Sequence, residues 1–303
     1  MAPDVGALLA AMDELRVATI VNLDGRWGAE LTANLDRYDR AHPGRFATFC
    51  HLDWSVLAAG SSPDLLVRQL TRAADEGACG IKVWKDLGLT VQDADGRLVQ
   101  LDDDRLSDVW DAAGELGLPV LVHAADPIAF WAPVDRHNER FEELASHPDW
   151  HHGSRAVPSH DQLVSSLTRL AAAHPRTTVI AAHLASCAED LPRVARMLAD
   201  HPNIVVDLSA REAELGRQPR AARAFVTAHA DRVLWGTDAF PVEPARYRTW
   251  FRLLESADEY FPYSTAAVPP QGRWTISGLD LPPETLAGVY ADNARRVIPA
   301  LAE

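Results

Sequence analysis

Lysine is almost absent from this chain. Only Lys82 and Lys85 are lysines among its 29 basic residues, and all the others are arginines. An ammonium group differs from a guanidinium in being compact and in having a pKa that its surroundings shift readily. A chain that has drifted this far toward arginine keeps lysine mainly where arginine cannot replace it. The sequence therefore marks these two residues, three positions apart, as functional candidates.

Cysteines and long apolar runs are also scarce. The three cysteines, Cys50, Cys79 and Cys187, form no CxxC pair, which is typical of reduced thiols in a cytoplasmic protein. No basic segment followed by an apolar stretch opens the chain, and no apolar run is long enough to span a bilayer. We therefore expect a cytoplasmic protein with no membrane partner.

Positive charge is in deficit. The net charge of −14 argues against nucleic acid as a partner, because phosphate binding needs a basic face. The composition, 47% hydrophobic and 24% charged, is that of an ordinary globular protein. The expected partner is a small-molecule substrate, and a homo-oligomer is left open.

Short apolar segments alternate with longer amphipathic ones along the chain. Seven short segments read as buried parallel strands, at 18–24, 46–53, 80–85, 119–123, 177–183, 203–209 and 232–238. Between them, helical patterns with start and stop signals run over 63–78, 102–117, 159–174, 189–201 and 218–230. Asp4 has the position of an N-cap for a helix that runs through Leu8–Leu15.

Repeated strand–helix alternation predicts a parallel sheet with right-handed crossovers. Seven such units favour a TIM-barrel-like (β/α)8 fold, and no Gly-rich dinucleotide fingerprint follows any strand. We expect a single domain over 1–303. A long loop at 124–158 is expected to cover the active-site face, and 247–303 to form a helical C-terminal tail.

Two histidines end buried strands. His123 follows LPVLV and His183 follows TTVIAA, which places both rings at the carboxyl-terminal mouth of a barrel, and Asp238 ends VLWGTD in the same way. Imidazole and carboxylate are the usual ligands of Zn²⁺. Five other histidines, at positions 42, 147, 174, 201 and 229, lie at helix ends, where an imidazole can cap carbonyl groups.

These strand ends, with NERFEELASHPDW, SAREAELGRQPRAAR, DRVLWGTD and ADNARRV, resemble the amidohydrolase-related family over nearly the whole chain. The resemblance implies a divalent ion, Zn²⁺ or alternatively Mn²⁺, with His123, Asp238 and, in two-metal relatives, His183 as ligands. It implies catalytic roles for His183 and Asp238. It also makes the first recognisable strand the second strand of the family barrel.

The sequence departs from this family at its start. Members open with a strand that ends in His-x-His, and no such motif occurs here. We therefore expect strand one to be missing from the barrel, either because residues upstream of Met1 are absent or because the barrel is truly seven-stranded, with a weakened or dead site. His51 and Asp53 have a suitable spacing on another strand, although a solvated loop pair is the simpler interpretation.

Several further polar and aromatic residues are expected near the mouth. Lys82, Lys85 and Arg211 are predicted to bind an anionic substrate, such as a carboxylate, lactone or amide. The lysines could instead orient metal ligands, and Arg211 could instead pair with Glu212 or Glu214. Asp126 and Asp207 are candidates for orienting other site residues or for forming turns. Aromatic side chains that could wall an apolar pocket are Trp131, Trp150, Phe240 and Trp274.

The resulting hypothesis is a metal-dependent hydrolase in which an ion-activated water attacks the substrate. Asp238 accepts a proton from that water, and His183 serves as the acid/base or electrophilic partner. A nonoxidative decarboxylase is the first alternative, because the same family hosts both reactions. A catalytically impaired homologue that acts as a binding protein is the second.

Overall fold

The computed structural model describes residues 4–239 and 241–302. Each of the seven segments predicted to be strands contains one: β1 (Ile20–Asn22), β2 (Phe46–Thr48), β3 (Ile81–Val83), β4 (Val120–Val122), β5 (Val179–Ala181), β6 (Ile204–Asp207) and β7 (Val233–Leu234). Strands β3 to β7 form one parallel sheet in chain order, and β1 pairs with β2 in parallel. A single parallel bridge, Cys50 to Ile81, joins the two sheets. The prediction of a TIM-barrel-like α/β fold is confirmed.

Helices follow the strands as the amphipathic pattern predicts. They are α1 (Val5–Leu15), α2 (Gly28–Leu35), α3 (Ser55–Ala58), α4 (Asp64–Glu76), α5 (Asp86–Leu89), α6 (Ser107–Glu115), α7 (Phe141–Ser146), α8 (His160–Ala173), α9 (Ala182–Ala185), α10 (Leu191–Asp200), α11 (Glu212–Arg217), α12 (Pro219–Ala228), α13 (Pro244–Glu255), α14 (Pro283–Ala287) and α15 (Asn293–Val297). None of the helices within residues 4–239 and 241–302 is both long and apolar enough to cross a membrane.

Local capping chemistry sets several of the helix ends. The Asp4 carboxylate accepts a hydrogen bond from the backbone of Ala7 at 3.0 Å, as its predicted N-cap role requires. Ser159 and Gln162 form a capping box at the start of α8, where each side chain bonds the other residue's backbone. Gly77 ends α4 with φ +111°, a backbone conformation that favours glycine.

The long loop and the tail contain more structure than the sequence pattern shows. Residues 124–158 hold α7 and two short 3₁₀ turns, Ile128–Trp131 and Pro148–Trp150. The tail holds an antiparallel hairpin, β8 (Phe261–Pro262) with β9 (Thr275–Ile276), in addition to helices. The division into one domain with these two segments stays a prediction.

Side chains of the strands alternate between two cores. Val120 and Val122 face the surrounding helices, whereas Leu121 points inward with Ile180 and Val205. The interior cluster also receives Val297 and Ile298 from the C-terminal segment. Lys82 pairs in register with Leu121, while its neighbours Ile81 and Val83 face the helices. Lys82 therefore occupies an inward position in an apolar layer.

The two ends of the strand series are bridged by a helix. Within the described residues no ladder joins β7 to β1, and no strand precedes β1. Helix α1 contacts α13 on one side, where Glu14 forms an ion pair with Arg248. On the other side, Leu8 and Met12 pack in one cluster with Phe46. The absence of the family's first strand from this barrel stays a prediction.

Candidate active site

His123 and His183 meet at the carboxyl-terminal mouth of the barrel. His123 directly follows β4, and His183 follows β5 with one residue between. Their ring centroids are 4.5 Å apart in an edge-to-face arrangement. Asp238, beyond β7, brings its Oδ2 to 3.9 Å from Nε2 of His183. The structure thus brings together the three side chains that the strand ends predicted.

The His183 ring is held in one orientation by the end of β6. Its backbone N–H donates to Oδ1 of Asp207 at 2.9 Å, and its Nδ1 lies 2.8 Å from the carbonyl oxygen of Ser209. A carbonyl only accepts, so Nδ1 carries the proton and Nε2 presents a lone pair. Asp207 also accepts from the Ser209 backbone at 3.0 Å, which fixes the carboxylate. The free nitrogen of His183 therefore faces Asp238.

Left-handed backbone is concentrated at these strand ends. Four consecutive residues, His183 to Ser186, have φ of 59°, 56°, 55° and 59°, and Ala210 and Asp238 have φ of 54° and 52°. For L residues this conformation costs roughly 1–2 kcal/mol per residue. The Ser186 hydroxyl, which donates to Ala125, and the Asp207 contact help to hold the segment. Strain of this kind is typical of functional sites.

A second polar network borders His123. Lys85 Nζ lies 2.6 Å from Oδ1 of Asp126, and Nε2 of His152 lies 2.8 Å from Oδ2. Burial raises the pKa of Asp126, but His152 and Lys85 outweigh it, and the net pKa is below its ordinary value. His152 comes from the 124–158 loop, so this loop supplies a group at the mouth.

His123 itself has an unpartnered nitrogen. Its Nε2 is buried, makes no hydrogen bond within the described part of the chain, and lies 3.9 Å from Asp126 Oδ1. Burial lowers the pKa of His123 well below its ordinary value, and the nearby His183 and Lys82 lower it further. The ring is therefore neutral, with one polar atom left for a ligand.

The three predicted substrate-binding cations surround the histidines. Lys82 and Arg211 are buried, at 4% and 6% exposure, while the Lys85 side chain is 35% exposed. All three charges contribute to the lowered pKa of His123. Lys85 is paired with Asp126, whereas Lys82 and Arg211 form no ion pair within the described residues and are the cations left for an anionic ligand. Their role as substrate-binding residues stays a prediction.

A pocket of about 380 Å³ opens at the ends of β2 and β3, and Lys82 is the one residue of the groups above that belongs to its lining. Trp27, Trp54 and Trp84 wall it. The sequence analysis did not single out these tryptophans, since their convergence depends on separate loops.

The aromatic residues that were proposed as pocket walls pack elsewhere. Trp131 lies against His152 with centroids 4.5 Å apart, and Trp150 stacks on His147 at 4.1 Å. Trp274 lies under the Arg217 guanidinium, which is 4.0 Å from the ring centroid. Phe240 is outside the described residues.

The donor set does not complete a metal site. Within residues 4–239 and 241–302, no group of three His, Cys, Asp or Glu side chains has the arrangement that holds an ion. The unpartnered nitrogen of His123 suits a metal, but the neighbouring carboxylates of Asp126 and Asp207 are already engaged. The Nε2 of His51, 2.7 Å from the Leu23 carbonyl oxygen, is engaged as well, and His51 is buried rather than solvated. The predicted ligand set, His123, Asp238 and His183, stays a prediction.

Comparison with known proteins places this site in a family. The amidohydrolase family model matches residues 6–300. The chain belongs to the amidohydrolase family. No curated protein matches the sequence of this amidohydrolase-family chain.

Solved structures share its fold at low sequence identity. The 2,6-dihydroxybenzoate decarboxylase from Rhizobium is 18% identical, with a TM-score of 0.60 over 97% of this chain and 88% of that one. A dihydroxybenzoic acid decarboxylase from Polaromonas, with bound manganese and the inhibitor 2-nitroresorcinol, is 14% identical, with a TM-score of 0.61 over 97% and 85%.

The 4-oxalomesaconate hydratase from Rhodopseudomonas palustris is 15% identical, with a TM-score of 0.55 over 98% of this chain and 82% of that one. At these identities the likeness of all three structures concerns the fold.

Sequence reasoning found the histidines and aspartates at the strand ends and missed two of the residues that hold them. Ser209 holds Nδ1 of His183, and His152 holds Asp126. Ser209 ends a predicted strand and gave no separate signal. The adjacent pair His151–His152 has the wrong spacing for a metal pair on a strand, and its sequence gives no hint of the Asp126 contact. Asp126 and Asp207 have the orienting contacts that were expected of them.

Proposed function

We propose that this amidohydrolase-family chain is a nonoxidative decarboxylase that acts on a small carboxylic acid at the carboxyl-terminal mouth of the barrel. The observation that carries the proposal is that the charges of Lys82, Lys85 and Arg211 all reach His123, beside the oriented imidazole of His183. Cations bind a carboxylate substrate, and Nε2 of His183 transfers the proton that replaces CO₂.

The chemistry needs three things from the protein. The carboxylate must be held, the electron pair of the breaking C–C bond must be accepted within the substrate, and a proton must reach the carbon. Arg211 supplies the first. His183 supplies the third, because the Ser209 carbonyl holds a proton on Nδ1 and leaves Nε2, 3.9 Å from Asp238, free to take up a proton from water and pass it to the carbon. The two decarboxylases of the same fold are consistent with this choice of reaction.

Metal-dependent hydrolysis is the second candidate function. It is favoured by the buried, unpartnered Nε2 of His123, the kind of atom that a divalent ion takes as a ligand. Zn²⁺ is the expected ion and Mn²⁺ the alternative. Because the donors of the described residues do not complete a metal site, we derive no step through an ion.

The test is product analysis. The purified chain is incubated with a panel of aromatic and oxo carboxylic acids, and with amides and lactones, and released CO₂ and hydrolysis products are measured by mass spectrometry. His183→Gln is the site variant, and Arg97→Gln, whose side chain is 77% exposed, is the matched control.

The proposal expects CO₂ release by the parent and by Arg97→Gln, with a large loss in His183→Gln. Hydrolysis without CO₂ release would overturn it in favour of the second candidate. Saturable binding of the acids with no product of either kind would point instead to a binding protein.

A further inference from the structure

Lys82 occupies an unusual position for a charged residue. It lies on β3, in register with Leu121 of β4, whose other partner is Ile180 of β5. Interior layers of such barrels are normally filled by branched apolar side chains. Placing an ammonium there costs free energy, because burial removes water from the charge. A residue retained in this position against that cost needs a function.

The two lysines of the chain differ in their partners. Lys85 is paired with Asp126 at 2.6 Å and is partly exposed. Lys82 forms no hydrogen bond or ion pair with any residue that the structure describes, and its Nζ lies 4.8 Å from the centroid of the Trp84 ring. The carboxylates of Asp207 and Asp238 act on it only at longer range. Lys82 thus presents a nitrogen that is not committed to another group.

Lys82 borders a pocket although it is buried. Lys82 contributes to the lining of the pocket of about 380 Å³ that Trp27, Trp54 and Trp84 enclose. That volume lies within the range of small-molecule sites, roughly 300–1,000 Å³. A substrate in this pocket therefore meets tryptophan side chains and Lys82, together with one arginine and two aspartates of the same lining.

The same residue is close to the acid–base groups. The Lys82 charge lowers the pKa of both His123 and His183, which places it within electrostatic range of both rings. Burial lowers the pKa of Lys82 to about 8, against the opposing effect of Asp207 and Asp238. Burial therefore favours the neutral amine, which is the form that attacks a carbonyl carbon.

We propose that Lys82 is an amine nucleophile that forms a Schiff base with the ketone of a 3-oxo carboxylic acid. The inference rests on the proposed decarboxylase function and names its substrate class. Nζ adds to the ketone carbon, and loss of water gives an iminium ion. The bond to the carboxylate then breaks, CO₂ leaves, and the electron pair of that bond forms an enamine. Nε2 of His183, which has taken up a proton from water, delivers it to the enamine carbon, and hydrolysis of the resulting iminium ion releases the ketone and regenerates the amine.

Reductive trapping tests this directly. The chain is mixed with acetoacetate, treated with sodium borohydride, digested and mapped by mass spectrometry. Reduction converts a Schiff base into a stable secondary amine. The assignment is simple because Lys82, Lys85 and the N-terminus are the chain's only amines. The matched variants are Lys82→Arg and Lys85→Arg, and Lys82→Met covers the case in which a buried guanidinium prevents folding.

The expected result is an adduct on Lys82, present in the parent and in Lys85→Arg and lost in Lys82→Arg and Lys82→Met. Mapping the parent locates the adduct even if no Lys82 variant folds. An adduct only on Lys85 or the N-terminus, or none at all, overturns the inference.

The trapped group also separates this inference from the proposed function. An isopropyl group on Lys82 means that CO₂ left before reduction and supports both. A carboxylated group on Lys82, without CO₂ release, supports the Schiff base and contradicts decarboxylation. CO₂ release with no trapped lysine leaves the decarboxylase standing and removes Lys82 as its nucleophile.

Discussion

The two halves of the barrel mouth are built differently. The acid–base arc, at the ends of β4 to β7, carries His123, His183, Asp207 and Asp238. Its polar groups are mostly fixed by short hydrogen bonds and by left-handed backbone. The pocket arc, at the ends of β1 to β3, carries the tryptophan-walled cavity, and there Lys82 has no hydrogen-bond partner among the described residues.

The contrast separates two tasks. The acid–base arc holds groups in defined orientations, as proton transfer requires, whereas the pocket arc provides space and one reactive amine. Lys82 connects the two arcs. It lines the pocket, and its charge lowers the pKa of both His123 and His183 in the acid–base arc. Perturbing the two arcs should therefore have different consequences for activity and stability.

The largest expected effect is on activity. His183→Gln removes the proton-transferring Nε2 while keeping a side chain that can still meet Ser209. We expect the rate of CO₂ release to fall by about 10²- to 10⁴-fold, the usual contribution of general acid–base catalysis. Steady-state kinetics measures this. If the variant has the same unfolding temperature as the parent and its rate of CO₂ release falls by less than about threefold, His183 does not take part in the reaction.

The next effect is on stability. Asp207→Ala leaves the backbone N–H groups of His183 and Ser209 buried without their acceptor, so we expect a loss of roughly 2–4 kcal/mol in the free energy of unfolding. The matched change in the pocket arc is Asp53→Ala, which removes the acceptor of the backbone N–H and hydroxyl of the exposed Ser55 and should cost about 1 kcal/mol. Urea denaturation of both variants gives the comparison. Equal losses would contradict the difference between the arcs.

Lys82→Met should stabilise the protein at neutral pH. The folded-state pKa of about 8 lies below the ordinary 10.5, so between these values the unfolded chain binds more protons than the folded one. The parent's stability therefore rises across this window, by about 1.4 kcal/mol for each pH increment of one. The variant lacks this rise, so its advantage is largest at pH 7 and shrinks toward pH 10.5. Parallel stability curves from pH 7 to 10 would show that Lys82 is not destabilised by burial.

Lys85→Met should act in the opposite direction. It leaves the buried Asp126 carboxylate with His152 as its remaining partner, and we expect a loss of about 1–2 kcal/mol at neutral pH. Denaturation beside Lys82→Met compares the two lysines in one assay. Stabilisation by both substitutions would mean that the Asp126 pair contributes nothing.

The smallest effect tests the strained backbone. Ala210→Gly keeps φ near 54° without the cost of a side chain in that region, so we expect a gain of about 0.5–1 kcal/mol. Ala181→Gly, at a buried strand position with φ −82°, is the control and should destabilise. Thermal unfolding of the pair is sufficient. Destabilisation by both would show that the left-handed residues carry no strain.

The strands, the strand ends and several helix caps were predictable from the sequence because they depend on local patterns. Apolar runs mark all seven parallel strands, and residues that end such runs, like His123, must meet at one end of a barrel. Caps such as Asp4 and Ser159 are also local signals. The lysine count pointed to Lys82 before its burial was known.

What the sequence did not reveal depends on contacts between distant segments. Ser209 meets His183 across 26 positions, and so does His152 with Asp126. The hairpin of β8 and β9 has two residues in each strand, too few to show a period of two. The incomplete metal-donor set is likewise a matter of geometry, because three residues of the right kind do not ensure three donors at the right distances.

The most direct measurement of the central claim is CO₂ release from acetoacetate by the chelator-treated chain, beside Lys82→Arg and His183→Gln. The account predicts activity that survives chelation and is lost in both variants. Activity that appears only after Zn²⁺ or Mn²⁺ is added, and that persists in Lys82→Arg, would contradict it and assign the chemistry to a metal centre instead.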